Sequence, residues 1–362
     1  MVAPQGFIAP GLRALVRWLV LLLLVPLADA ELLERQLAAR DDAVAWLAEG
    51  PPGRLRIEAL HAAGVDTYLA PSWHGQLAVP DDASPGGLAR FLHAVGSNGY
   101  DPRAYPDPVR GSLDLQAVAL ANHDAVVATE RAADLAWHLL ALHALGLGDR
   151  DEVAQAGTLL ASMQAGGFPC NQNDLDLDCT GFAVAALNAT KQPFDRAAAL
   201  DFIAPKDGVF GDDPNADTQA WGILAMRHAG SQVPPSSWRW LLDLQQPNGA
   251  FQHRPGDPGP DATWLFPTVD AVLALSDFPG PAWVDLTWNG TAVEEPGYAV
   301  TTREVDGRIH AHASGPDGHA RIVVDAPVEP MPAPWVMVAL LGAMLLRRGR
   351  PALRPRQTAR RS

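Results

Sequence analysis

The sequence predicts a mainly α-helical chain of repeated helical hairpins, followed by a small antiparallel β module and a short apolar C-terminal helix. Three observations predict this. A helix end, a glycine turn and an aromatic recur at near-constant spacing: LLASMQAGGF ends at Phe168, ALDFIAPKDGVF at Phe210 and WLLDLQQPNGAF at Phe251, 42 and 41 residues apart, and a weaker copy, FLHAVGSNGY, ends at Tyr100. Each turn is followed by an acidic, small-polar opening to another apolar helix: Asp178-Cys179-Thr180-Gly181-Phe182, Asp217-Thr218-Gln219-Ala220-Trp221 and Asp261-Ala262-Thr263-Trp264, with an earlier copy at Ala133-Asp134-Leu135-Ala136-Trp137. A fixed period of this size marks stacked hairpins, each too small to bury its own face alone. From Pro281 onward, the apolar spacing changes from helical to alternating.

Taken in order, the chain opens with Arg13 and Arg17, then the apolar run WLVLLLLVPL and the small residues Ala28-Asp29-Ala30. This is the layout of a secretory signal peptide over residues 1–30, cut after Ala30; the competing reading is an uncleaved anchor, for which the apolar core is short. Apolar spacing and stop signals then predict helices at about 33–49, 53–64, 84–96, 113–146 (broken near Asn122), 150–165, 179–190, 194–204, 217–229, 235–246 and 263–276. Asp217-Thr218 and Asp178-Cys179-Thr180 read as helix N-caps. Residues 281–326 read as a β module: WVDLTW-NG-TAV, then YAVTTREV-DG-RIHAHAS, then GPDG-HARIVVDAP. Residues 327–333 are a Pro-rich linker, 334–346 (PWVMVALLGAMLL) an apolar anchor, and 347–362 an Arg-rich tail expected to remain in the cytoplasm. The last three segments resemble the tripartite sorting signals of PEP-CTERM and archaeosortase substrates. That likeness implies membrane retention and a sortase-like processing partner.

Charge narrows the function classes. The formal net charge is −14, and nine of the 27 basic residues lie in the two terminal segments, so the middle is more acidic still. Nucleic-acid binding is thereby disfavoured. Two cysteines do not make a disulfide-rich scaffold.

Trp240-Leu241, Gln245, Gly249 and Phe251 are spaced like the QW motif of terpene cyclases, with Phe for the final Trp. Leu160, Gln164, Gly166 and Phe168 nearly repeat it, and Leu200, Gly208 and Phe210 do so with Ala204 in place of Gln. The resemblance covers about residues 33–280, within a toroid domain placed at 31–280. It implies an (α/α) toroid of five to six hairpins, with outer helices ending in the Gln/Gly/aromatic turn and inner helices starting at the acidic sites. In that reading the Gln ties free backbone groups of neighbouring helices, and the aromatic packs over the joint. The same toroid serves squalene–hopene cyclases, protein prenyltransferase β subunits and the cobalamin carriers, the last with a C-terminal β domain.

Each activity meets a specific obstacle. Class II cyclases use Asp-x-Asp-Asp-Thr-Ala, and here Asp176-Leu177-Asp178-Cys179-Thr180-Gly181 stands at an inner-helix start. Asp178 matches the proton donor and Asp176 its companion, but Cys179 replaces the third acid, and sharpening one carboxyl requires partners. The plainer reading is a capped helix. Prenyltransferase zinc ligands are not matched. Cys170 and Cys179, in an exported chain, read as a disulfide closing the NQNDLDLD loop. Asn173, Asp174 and Asp176 in that loop are oxygen ligands suited to calcium, though a solvated acidic loop has the same composition. His310, His312 and His319 share one face if Ser314 pairs with His319, which would suit zinc or copper; the alternative is the solvent face of a half-buried hairpin.

Trp137, Phe182, Trp221 and Trp264 recur near inner-helix starts, where they could line an apolar pocket or simply pack the core. The sequence therefore favours an exported, surface-anchored toroid that binds a small apolar ligand or serves a structural role, without a firmly assigned cofactor. The alternative is an isoprenoid-processing enzyme, cyclase-like or prenyltransferase-like, working in the toroid.

Overall fold

The computed structural model describes residues 27–67, 77–171, 174–257, 264–287, 297–305 and 308–325. The residues before Leu27 of the expected signal peptide, and the segments 327–333, 334–346 and 347–362 expected as linker, anchor and tail, lie outside these. Among the described residues no helix is long and apolar enough to cross a membrane.

Eleven helices are described: α1 (Leu27–Glu49), α2 (Arg54–Ala62), α3 (Pro85–Gly96), α4 (Leu115–Val127), α5 (Ala132–Ala144), α6 (Asp151–Ser162), α7 (Leu177–Ala189), α8 (Arg196–Ile203), α9 (Ala216–His228), α10 (Pro235–Leu242) and α11 (Leu265–Leu275). Six of them close a ring. α2, α3, α5, α7, α9 and α11 each pack on the next, and α11 packs back on α2. Gly86 at the start of α3 lies against Asp134 at the start of α5, and Gly96 at its end against Leu145, so these neighbours run parallel. α1, α4, α6, α8 and α10 pack around the outside.

Composition explains who is inside. α7 (LDCTGFAVAALNA) and α9 (ADTQAWGILAMRH) are apolar nearly all round and buried over most of their length, as a helix enclosed on every side must be. Their small residues permit close approach: Gly222 of α9 leaves no room for a Cβ beside the Phe210 ring. α10 is amphipathic and buries only Ser237, Leu241 and Leu242, as expected of an outer helix.

The region 113–146 is broken, but at Thr129–Arg131 rather than near Asn122. Asn122 stays helical because its amide donates to Pro85 O at 2.9 Å, while Glu130 takes a positive φ of 49° that ends α4. The predicted caps shift as well. Asn215, not Asp217, caps α9 by accepting from Thr218 N; Asp176, not Asp178, caps α7 by accepting from Cys179 N at 2.9 Å. Two polar residues within three positions offered two candidate caps, and the earlier one took the role each time.

The repeated turn works as a staple. Gln164 Nε2 donates to Gly166 O and Asp195 O, and Gln164 Oε1 accepts from Asp195 N, tying the end of α6 to the start of α8. Gln245 Nε2 donates to Gly249 O and to Ala39 O of α1, which joins the last outer helix to the first. Where Ala204 replaces the Gln, Gln219 of α9 substitutes, donating to Gly208 O and Ser237 O. Phe168, Phe210 and Phe251 are fully buried, and their amides donate to Thr180, Gln219 and Thr268 respectively. Gly249 has φ 90° and lies against Asp42 O, so both conformation and space require glycine there. Gln164→Ala removes three hydrogen bonds, one of them through a backbone N–H, and should cost about 1–3 kcal/mol. Urea unfolding of the variant measures this; a midpoint equal to that of the parent would mean that the staple is dispensable.

Among the described residues are three small antiparallel sheets: the hairpins β1–β2 (Tyr105–Asp107, Gly111–Leu113) and β3–β4 (Phe168–Asn171, Asp174–Asp176), and the meander β5–β6–β7 (Ala299–Val305, Arg308–Gly315, Gly318–Asp325). Ser314 pairs with His319. The β7 edge is covered by the helical ring and the segment leaving it: Val284 N donates to His319 O, His319 N to Ala282 O, and Arg321 N to Gly99 O.

Candidate functional site

Because Asp176 and Asn215 do the capping, Asp178 and Asp217, each the second residue of its helix, are left out of the caps. Asp178 is mostly buried. Burial, then the Asp176 charge and the Asp217 charge, push its carboxyl up to about 7, against a hydrogen bond with Thr218. Its Oδ1 is buried without a partner. On the next inner helix, Asp217 Oδ2 lies 3.3 Å from His253 Nδ1, and its Oδ1 is likewise buried and unpartnered. Burial raises the Asp217 carboxyl, with His253 and Arg90 opposing.

One helix further on, Asp270 of α11 is 7% exposed. Trp221 Nε1 donates to its Oδ2 at 3.0 Å, and its Oδ1 has no partner. Burial first, then the Asp217 charge, hold this carboxyl well above the usual range. Three consecutive inner helices thus each place one carboxyl with a raised pKa in the same region. Native interiors rarely leave buried polar atoms unpaired, and clustered exceptions with raised pKa values mark functional ground.

Facing them is a charged group from α2 and α3. Arg90 donates to Glu58 Oε2 through Nη2 at 2.8 Å and Nε at 3.1 Å, and His93 Nδ1 donates to Oε1 at 3.1 Å. Burial pushes Glu58 up, but Arg90 and His93 together hold it below its ordinary value. The Arg90 guanidinium lies 4.4 Å over the Trp137 ring and feels the charges of both Asp270 and Asp217, so it faces the acids from across the ring.

The aromatics fill the space between. Phe182 meets Trp221 edge-on at 4.3 Å and Trp137 at 5.4 Å, Trp137 meets Trp221 at 6.1 Å, and Phe278 contacts both tryptophans. Trp137, Phe182 and Trp221, read as pocket lining or as core packing, therefore pack on one another as a central plug. Trp264 is buried just before α11, with Nε1 unpartnered.

The remaining predicted site residues separate. Cys170 and Cys179 form a disulfide with Cα atoms 5.4 Å apart, tying β3 to α7 beside Asp178. Among the described residues, the one group of three His, Cys, Asp or Glu side chains within metal-ligand reach of one another is Cys170, Asp176 and Cys179, and both sulfurs belong to that disulfide. For the calcium set, Asn173 lies outside the described residues, Asp174 is exposed and Asp176 caps α7. His310, His312 and His319 do share a sheet face, by the register His312↔Arg321 and Ser314↔His319, but that face turns toward the helical ring rather than solvent. Their ring nitrogens do not form a three-ligand group.

Sequence reasoning missed Asp217 as an acid, together with Asp270, Glu58, Arg90, His93 and His253. For Asp270 a signal existed: it is the single acid in the apolar run LFPTVDAVLAL.

No family model matches the chain, and no curated protein matches it. Among solved structures, the chain is similar to the type II terpene cyclase MstE from Scytonema. An arginine-to-alanine variant in complex with geranylgeranyl dihydroxybenzoate aligns at 14% identity over 68% of this chain and 98% of that one, with a TM-score of 0.31. The apo enzyme aligns at 13% identity over 67% and 98%, with a TM-score of 0.29.

Proposed function

We propose that the ring interior is a general-acid site for an apolar, isoprenoid-class substrate, with Asp178 as proton donor and Asp217 and Asp270 as its carboxyl partners. The observation that carries this is the set of three buried, unpartnered carboxyl oxygens on α7, α9 and α11. Asp217 takes the place of the acid that Cys179 displaces, coming from the neighbouring helix instead of the neighbouring residue. A carboxyl poised at about 7 is about half protonated at neutral pH and matches proton transfer to an oxygen better than to an alkene carbon, which demands a stronger acid. The substrate would therefore carry an epoxide or hydroxyl. The proton passes from Asp178 to that oxygen and the C–O bond breaks. The aromatic plug must part for the substrate to enter; the electron-rich faces of Trp137, Phe182 and Trp221 then favour the resulting cation, and the proton it loses returns to the Asp178 carboxylate, which restores the acid.

The test is turnover by purified full-length protein of squalene and of its terminal epoxide, followed by mass spectrometry. The epoxide should react, squalene should not, and Asp178→Asn should lower the rate about 100-fold or more. The second reading is a binder without turnover, favoured by the mutual packing of the aromatic plug. Quenching of tryptophan fluorescence by the epoxide without any product would establish the binder and overturn the acid site.

The proposal extends to location. Signal cleavage after Ala30 and retention by residues 334–346 would place this site outside the cytoplasm at a membrane surface. The intact mass of protein taken from the native membrane should begin at Glu31; a cytoplasmic pool starting at Met1 would refute export.

A further inference from the structure

The seam between the helical ring and the β module contains a second polar site. A cavity of about 230 Å³ opens there, lined by Gly64, Asp66 and Tyr100 from the ring side and by Thr301, Arg303, His310, His312 and Arg321 from the sheet side. The strand register explains the lining. Thr301 pairs with His312, Arg303 with His310, and His312 with Arg321, so all five side chains project from one sheet face.

The balance of donors and acceptors in this cavity is uneven. Asp66 is the one carboxylate in the lining, and its charge is already matched: Arg321 Nη1 pairs with it at 2.5 Å and the Tyr100 hydroxyl donates to it at 3.1 Å. Arg321 Nε and His312 Nε2 are buried and have no partner. Arg303 is exposed at the rim and carries no ion pair among the described residues. Two guanidinium groups and a histidine thus surround a space with donors to spare, in a chain whose formal charge is −14, while the Thr301 hydroxyl beside them donates to His312 O at 3.5 Å. Buried donors without acceptors are uncommon, and forked guanidinium donors suit phosphate and sulfate oxygens.

We propose that this seam binds a small tetrahedral oxyanion, a phosphate or sulfate group, held by Arg303, His312 and Arg321. The volume suits such a group with at most a small substituent. Binding there would join β5, β6 and β7 to the ring through one ligand, so an occupied site should also hold the β module more firmly against the ring.

The experiment is calorimetric titration of the full chain with inorganic phosphate near neutral pH, with ionic strength held constant by chloride. One-to-one binding is expected, with acetate weaker than phosphate. Arg303→Ala should weaken it about tenfold and Arg303→Glu should abolish it. Arg150→Glu, which makes the same charge change on a distant exposed side chain, should leave it unchanged. Arg303 is exposed, so its replacement tests binding without endangering the fold. No heat above the chloride control, or equal losses from Arg303→Glu and Arg150→Glu, would overturn the site.

Discussion

Trp221→Ala should bring the protein to the edge of unfolding. Trp221 is 1% exposed and contacts Trp137, Phe182 and Phe278, so its truncation leaves a cavity on every side of the plug. Losses of this type run to about 3–5 kcal/mol. The substitution also removes the indole N–H that serves Asp270, stranding both oxygens of a buried carboxyl at a further cost of about 1–3 kcal/mol. Together these approach the whole stability of an ordinary domain, about 5–15 kcal/mol. Trp221→Phe separates the two effects, because it keeps most of the packing and loses only the donor. Chemical denaturation should rank the parent above Trp221→Phe, and that variant well above Trp221→Ala. A loss below about 1 kcal/mol for the alanine variant would mean that the ring interior is open, not plugged.

The difference between an open pocket and a plug could not be read from the sequence. Trp137, Phe182 and Trp221 recur at the same place in successive repeats, and this sets their common height in the ring. Whether rings at one height meet depends on the ring's diameter, which depends in turn on how closely six inner helices approach. Gly181 against Trp221 and Gly222 against Phe210 bring them close, and neither contact has a local signature.

The staples were legible for the opposite reason. A glycine at positive φ, a buried aromatic and an amide side chain within a few residues form a local pattern, and Gln245-Gly249-Phe251 displays it completely. Its far partner, Ala39 O, lies more than 200 residues away, and so does the closure of the ring. The substitution of Gln219 for the missing amide at Ala204 was hidden because it reaches the same turn from a different helix. The acid site suffered from its own neighbours: Asp176 and Asn215 stand two residues before Asp178 and Asp217, and either member of each pair could have been the cap. Only the backbone geometry decides which acid is left to face the interior.

Acid should destabilise this protein sharply before its carboxylates titrate in the ordinary range. Burial holds His61, His138 and His228 down at about 4 and His319 at about 3, against an unfolded value of 6.5, and also lowers His143 and His312. The sign follows from proton counting. Between 6.5 and about 4 the unfolded chain binds protons at these histidines and the native chain does not, so stability falls as pH falls. The contribution is complete above 6.5 and is lost toward the folded values. Asp178, Asp217 and Asp270 act in the other direction: their folded values are raised, so their contribution is present below 3.8 and fades as pH rises, through about 7 for Asp178. Six histidines oppose three carboxyls across the same window. For His138, fully buried against His123 at 3.0 Å, a shift of this size corresponds to about 3 kcal/mol at about 1.4 kcal/mol per pKa unit. A chain longer than roughly 150–250 residues moves less than the ~2–4 °C in Tm per kcal/mol that holds for that size. The melting temperature should therefore fall by several degrees between neutral pH and about pH 5, the histidines outnumbering the opposing carboxyls. His138→Gln, which keeps a polar partner for His123 but cannot be protonated, should flatten the slope. A Tm independent of pH across that interval, or a slope unchanged in His138→Gln, would show that these histidines are not held neutral by the fold.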